Sequence, residues 1–239
     1  MAHRSRSAPK VIVLIFLAAL ALQLAYGSAK PRAVGVGVDF ELPSPPSALG
    51  LQVLSANESL AMAKLATLWL QVFDTAAGHS ASWSQLNYAH LVQWLERLVQ
   101  LDPNAQYPLL AATHLYGEVA DLEKSRAMLD FVYARFQEAP GKRWRWLAEA
   151  TVLAKHKLHD LPLALKYANA LADTPKEPAV PSWARQLKWI ILEDLGEVES
   201  ARVVVGGLIE SGEITDQNEL RFLSETLRRL EQKHSNSAL

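Results

Sequence analysis

The chain falls into an apolar run, a stretch broken by prolines, and a long region of helical periodicity. From Ser55 onward apolar residues recur every three or four positions, the period of a helix with one buried face. Leu60, Leu65, Leu68, Trp69, Val72 and Phe73 make the first such face, which Gly78 and a Ser-rich piece interrupt. Leu91, Trp94, Leu95, Leu98 and Leu101 make the next, closed by Leu101-Asp102-Pro103. Leu220, Leu223, Leu227 and Leu230 form a single stripe near the end, with Arg221, Glu225, Arg228, Arg229 and Glu231 around it. Paired polar residues mark expected helix starts at Ser55/Glu58, Ser82/Gln85 and Asp216/Glu219. The expected fold is all-α.

The helices repeat. Leu91, Ala127, Ala164 and Ala201 are spaced by 36, 37 and 37 residues. Leu95, Phe131, Ala168 and Val205 follow one turn later on the same face. Leu98, Ala134, Leu171 and Leu208 lie seven residues on. Pro103, Pro140 and Pro175 close successive units, and Gly212 takes the equivalent place in the last. Trp146 and Trp183 keep the same 37-residue interval. Tyr88 through Pro103, and Leu192 through Leu208 with Gly196 and Ala201, carry the closest likeness to a known pattern. Over roughly residues 83–212 the chain resembles the tetratricopeptide repeat superfamily, whose period is about 34.

That resemblance implies a right-handed superhelix of stacked antiparallel helical hairpins. It also implies a concave surface lined by first-helix positions, which takes a protein or peptide partner. By register these are Leu109, Ala112 and Tyr116 in one unit; Trp146, Glu149, Leu153 and His156 in the next; and Trp183, Gln186, Ile190 and Glu193 in the third. The partner-binding candidates are Tyr116, Trp146, Glu149, His156, Trp183, Gln186 and Glu193. In a short solenoid the terminal helix can fill this groove instead, which would make Trp146 and Trp183 core. A polar outer face on the last helix suits a solenoid cap.

Arg4, Arg6 and Lys10 precede an apolar run from Val11 to Leu24, broken only by Gln23. A basic flank before an apolar stretch is a secretory pattern. At about 14–16 residues the run is shorter than the roughly 20 of a spanning helix. Small residues follow at Ala25-Tyr26-Gly27 and Ser28-Ala29, so cleavage and an uncleaved anchor through residues 11–26 both remain open. In either case the basic end stays inside and the rest crosses. The expected location is the bacterial inner membrane, single-pass with the helical domain in the periplasm, or the soluble periplasm after cleavage. Pro31, Pro43, Pro45 and Pro46 oppose regular structure. The expected boundaries are residues 1–27 for targeting, 28–53 for a linker, 54–234 for the helical domain and 235–239 for a disordered tail.

Composition narrows the function. Half of the 239 residues are hydrophobic, enough for a core. The net charge of −1 becomes −4 once the three basic residues of the first 27 are set aside, which offers nothing to nucleic acid. With no cysteine, disulfides, thiol catalysis and thiolate zinc sites are excluded. His156, His159 and Asp160 are the best metal candidate, but Lys155 and Lys157 repel a cation, and Asp160 suits a helix cap before Pro162. No metal site, cofactor or catalytic residue is assigned. There is no Gly-x-Ser-x-Gly elbow. Glu118, Asp121 and Glu123 suit a helix start, and Glu193-Asp194 a solvated helix end. Gly206-Gly207 suggests close packing on the last helix. Lys142, Arg143, Trp144 and Arg145 form a basic, aromatic patch suited to headgroups or an anionic partner. The expected function is a non-enzymatic scaffold or adaptor of the cell envelope. The alternative is a periplasmic hydrolytic enzyme, or a lipid- or sugar-binding module, using groove acids and histidines.

Overall fold

The computed structural model describes residues 10–29, 42–75, 83–174, 180–212 and 214–237. The chain divides into two units, Met1–Phe40 and Glu41–Leu239. The first contains one helix, α1 (Lys10–Ala29), with Leu14, Ile15, Phe16, Leu17, Leu20 and Leu22 exposed. Among the described residues no helix is long and apolar enough to cross a membrane. Within α1 the described side chains are those of Leu14 to Gln23 and of Ala25.

The second unit is all-helical among the described residues. Its helices are α2 (Ala48–Leu54), α3 (Ser59–Thr75), α4 (Tyr88–Leu101), α5 (Tyr107–His114), α6 (Leu122–Glu138), α7 (Pro140–His156), α8 (Leu161–Ala172), α9 (Ser182–Asp194), α10 (Val198–Glu210) and α11 (Gln217–Ser237). Short 3-10 turns occupy Trp83–Gln85 and Tyr116–Glu118. From α3 to α11 each helix packs on the next in sequence, and α4 also touches α6, α5 touches α7, and α7 touches α9.

Side-chain caps set several starts by accepting backbone N–H groups that have no helical partner. Asp121 caps α6, accepting from the N–H of Glu123 and Lys124. Asp160 caps α8 through the Leu163 N–H at 2.9 Å, with proline in the first turn. Asp216 caps α11 through Asn218 and Glu219. Ser82 of the expected Ser82/Gln85 start lies outside the described residues; α4 begins at Tyr88 and is capped by Asn87. The Ser55/Glu58 capping box does not form either. Ser55 ends the short helix α2, its hydroxyl donating to the Gln52 carbonyl at 2.6 Å. Gly196 closes α9 at φ +79°, where the Glu197 N–H returns to the Leu192 carbonyl at 2.9 Å. Only glycine enters that region without steric cost.

The segment expected to be a linker, residues 28–53, is helical at both ends. α1 continues to Ala29 and α2 occupies Ala48–Leu54, capped by the Ser47 hydroxyl. Residues 42–47 belong to the folded unit rather than to a tether. Leu42 is fully buried, and its carbonyl lies 2.6 Å from His90 Nδ1. Trp94 Nε1 donates to the Pro43 carbonyl at 2.8 Å, and Arg97 Nε to that of Pro46. Prolines lack an N–H but keep a carbonyl, so side chains of α4 hold this strap through its acceptors. The disordered tail is corrected as well. α11 runs to Ser237, and the Ser235 hydroxyl donates to the Glu231 carbonyl; residues 238 and 239 lie outside the described residues.

The 36- to 37-residue register marks buried positions on α4, α6, α8 and α10. Leu91, Ala164 and Ala201 are fully buried, as are Leu95, Ala168 and Val205, with Phe131 nearly so, while Ala127 is only half-buried. One turn further the register slips in α6, where Ala134 is exposed and Val132 and Phe136 fill the core instead. The core runs in two stretches that share Leu165. One extends from Leu42 to Ile191; the other gathers Trp189, Leu192, Ala201, Val205, Ile214, Leu223 and Leu230.

Gly206 and Gly207 do not serve close packing. A Cβ added at either would meet nothing within 4 Å, so α10 bears the entropic cost of two helix-interior glycines with no packing return. Gly206→Ala and Gly207→Ala should each stabilise the protein by about 0.4–1 kcal/mol, read as a raised urea midpoint. A lowered midpoint would show a neighbour or conformation that these positions require.

Candidate functional site

The face expected to bind a partner lies on α5, α7 and α9, and most of its candidates are interior. Tyr116 is fully buried, and its carbonyl accepts the Tyr88 hydroxyl at 2.9 Å. Trp146 is buried; its Nε1 donates to Gln106 Oε1 at 2.7 Å, and its ring meets His114 edge-on. Gln186 is buried and donates to Glu219 of α11. These three therefore leave the binding set. Trp146 and Gln186 lie on α7 and α9, and Tyr116 in the 3-10 turn after α5; Gln106 before α5 and His114 within it meet Trp146, and Glu219 of α11 meets Gln186. Leu109 and Ala112 are buried too.

Glu193 is engaged by the last helix. Its carboxylate accepts from Arg229 and Lys233, with the Arg229 Nη2 contact at 3.0 Å. Hydrogen bonding from Arg229 is the main force that holds this carboxyl below the ordinary glutamate value, ahead of the opposing effect of partial burial. The adjacent Asp194 pairs with Lys155 of α7 at 2.5 Å. So Glu193-Asp194 is a helix end tied to two neighbours, rather than the solvated end expected.

The basic, aromatic patch also divides. Arg143 is only 4% exposed and works as a clamp. Its Nη1 donates to the Arg135 carbonyl at 2.6 Å and to Glu138 Oε2 at 2.8 Å, and its Nη2 donates to the Pro103 carbonyl at 3.2 Å. It thus joins the α6–α7 turn to the turn after α4. Lys142 is exposed and donates to Asn104 Oδ1. Trp144 and Trp183 meet edge to face with centroids 5.5 Å apart, near the starts of α7 and α9. Arg145 lies 5.8 Å from the Trp144 ring. Trp183 is 52% exposed, an unusual position for the largest apolar side chain. Further along α7, Glu149 and Leu153 are partly exposed and His156 is exposed.

This arrangement offers flat aromatic surface, one cation beside it and a partly polar border. It suits contact with apolar or aromatic side chains and with carboxylates. Among the described residues no three His, Asp or Glu side chains gather as a metal would need. Asp160 already caps α8 and pairs with Arg126 at 2.6 Å, and both interactions hold its carboxyl below the ordinary aspartate value, the Leu163 N–H most of all. The residues missed in sequence were Glu219, Arg229 and Lys233. The spacing of Arg229 and Lys233 puts both on one helix face, but nothing local names Glu193 as their target.

In comparisons, no family model, no curated protein and no solved structure matches the chain.

The Glu193 cluster carries a pH dependence. A carboxyl with a lowered folded pKa stabilises the fold above its unfolded value, 4.5, and that contribution is lost as pH falls through the folded value. Glu193→Gln should cost on the order of 1 kcal/mol at neutral pH, since Arg229 and Lys233 are half-exposed and screened. Urea unfolding should show the gap to the native chain narrowing below about pH 4.5. A gap constant down to pH 3 would contradict this role.

Proposed function

We propose that the chain is a non-enzymatic scaffold or adaptor that takes a protein or peptide segment on the α7–α9 face. The observation that carries this reading is the edge-to-face pair of Trp144 and half-exposed Trp183, with Arg145 alongside. Tryptophan and arginine are the side chains that dominate binding energy at interfaces. Glu149 and His156 give the face a polar margin. The successive packing of α3 to α11 supports a TPR-like stack of helical pairs, which the resemblance would wind into a right-handed superhelix with α11 as its cap.

The N-terminal segment supports membrane tethering in the cell envelope. Arg4, Arg6 and Lys10 precede the apolar run, and α1 continues as helix through the small residues to Ala29. With the basic end inside, the helical domain stands on the periplasmic side of the inner membrane. The hydrolytic alternative has less support. Glu193 is bound by two cations and Asp160 by a cap and an arginine, which leaves neither carboxylate poised as a general acid.

Crosslinked pull-down of the full-length protein from native membranes tests this reading. One stoichiometric protein partner should be recovered, with the N-terminal sequence intact. Trp183→Ala should reduce its recovery at least tenfold, consistent with a loss of about 2 kcal/mol at a central anchor, while helicity is unchanged and the lost contact with Trp144 lowers stability by no more than about 1.5 kcal/mol. Equal recovery by native and Trp183→Ala chains would overturn the assignment of this face.

A further inference from the structure

α3 is apolar on two faces. Ala63, Ala66, Leu70 and Phe73 form one seam, buried in the core. Ala61, Leu65, Leu68 and Val72 form a second on nearly the opposite side, and it is exposed; Leu65 and Leu68 are 62% and 61% accessible. Their spacing of four, three and four is the heptad repeat of a helix that packs along another helix. Helices apolar all round are normally covered on all sides. Trp69 borders the exposed seam, braced by Phe73 and Trp94 at centroid distances of 4.8 and 4.6 Å. Nearby, Leu49, Val53, Leu54 and Leu60 at the α2–α3 corner are also exposed.

We propose that this seam pairs with the same seam of a second copy of the chain. Three observations favour a second copy over other occupants. The seam is narrow and periodic, which suits a helix rather than a flat surface. It is also without charge. The only ionisable residues in α2 and α3 are Lys64 and Asp74, so the stripe is complementary to itself, as a two-fold contact requires. A bilayer surface would call for several cations to meet its headgroups, and α2 and α3 supply one. Finally, Leu65, Leu68, Trp69 and Val72, with Leu49, Val53 and Leu54 of the neighbouring α2, expose an area on the order of the 800 Å² that each partner gives to a stable interface. The pairing is independent of what binds at Trp183.

The native chain has no cysteine, so single-cysteine variants report cleanly. In the full-length protein in nonionic detergent, Leu68→Cys should form a disulfide-linked dimer under mild oxidation. Val203→Cys, exposed on α10, should stay monomeric on the same gel. The native chain should sediment as a dimer and Leu65→Glu/Leu68→Glu as a monomer with unchanged helicity. Equal crosslinking at 68 and 203 would mean random collision and overturn the proposal. So would a native monomer with no crosslink at 68. Shielding of Leu68→Cys from an impermeant maleimide only when vesicles are present, without crosslinking, would assign the seam to lipid instead.

Discussion

Close approach of neighbouring helices, permitted by alanine, is the constraint on which this fold depends. Ala111 and Ala112 of α5, Ala150 and Ala154 of α7, Ala164 and Ala168 of α8, Ala184 of α9 and Ala201 of α10 are all fully buried. Each marks a place where a larger side chain would push two axes apart. Axes of packed helices lie about 8–10 Å apart depending on the side chains between them. Alanine favours the short end of that range and loses no side-chain entropy in a helix. The larger residues fill the remaining core, where Tyr116, Met128, Leu147 and Tyr167 are among the largest fully buried side chains. Burial also pushes the Tyr167 phenol well above its ordinary value, with Asp130 as a second cause, so it remains a neutral hydrogen-bond donor in the core.

Packing of this kind fixes distance but not the angle of each turn, and polar ties at the corners supply that. Arg143 gathers acceptors from two turns and one acid. Asp160 caps α8 and reaches Arg126 of α6. Glu193 binds Arg229 and Lys233, while Asp194 next to it binds Lys155. A buried cation loses several kcal/mol of hydration unless it is fully paired, and the three bonds of Arg143 meet that condition. Positioning of Trp144 and Trp183 follows, because each stands near the start of a helix whose angle these corners set. A rigid aromatic pair loses little entropy on meeting a partner, which connects the packing to the proposed binding.

Much of the helical architecture was legible in sequence because its signals are local. Asp160 with Pro162, Asp121 with Glu123, and Asp216 with Glu219 each announce a helix start within three residues. The spacing of Leu91, Ala164 and Ala201 identified buried crossings. What failed was long-range. Ser55 looked like a cap until a preceding helix, α2, took it as its end. The prolines at 43 and 46 suggested a tether, yet their carbonyls are held by Trp94 and Arg97, about fifty residues away. Trp146 and Gln186 lie on α7 and α9 and Tyr116 in the turn after α5, and all three are covered by neighbours that no local pattern names. The same limit applied to α3, whose apolar residues read as one face in sequence and form two in space.

Urea unfolding of Ala164→Leu tests whether alanine sets the helix crossings. Ala164 is fully buried on α8 between its neighbours. Leucine there should overpack the crossing and lower stability by about 1–3 kcal/mol, with the unfolding slope unchanged. A midpoint equal to that of the native chain would show that the crossing has room for three more carbons, and would contradict the claim.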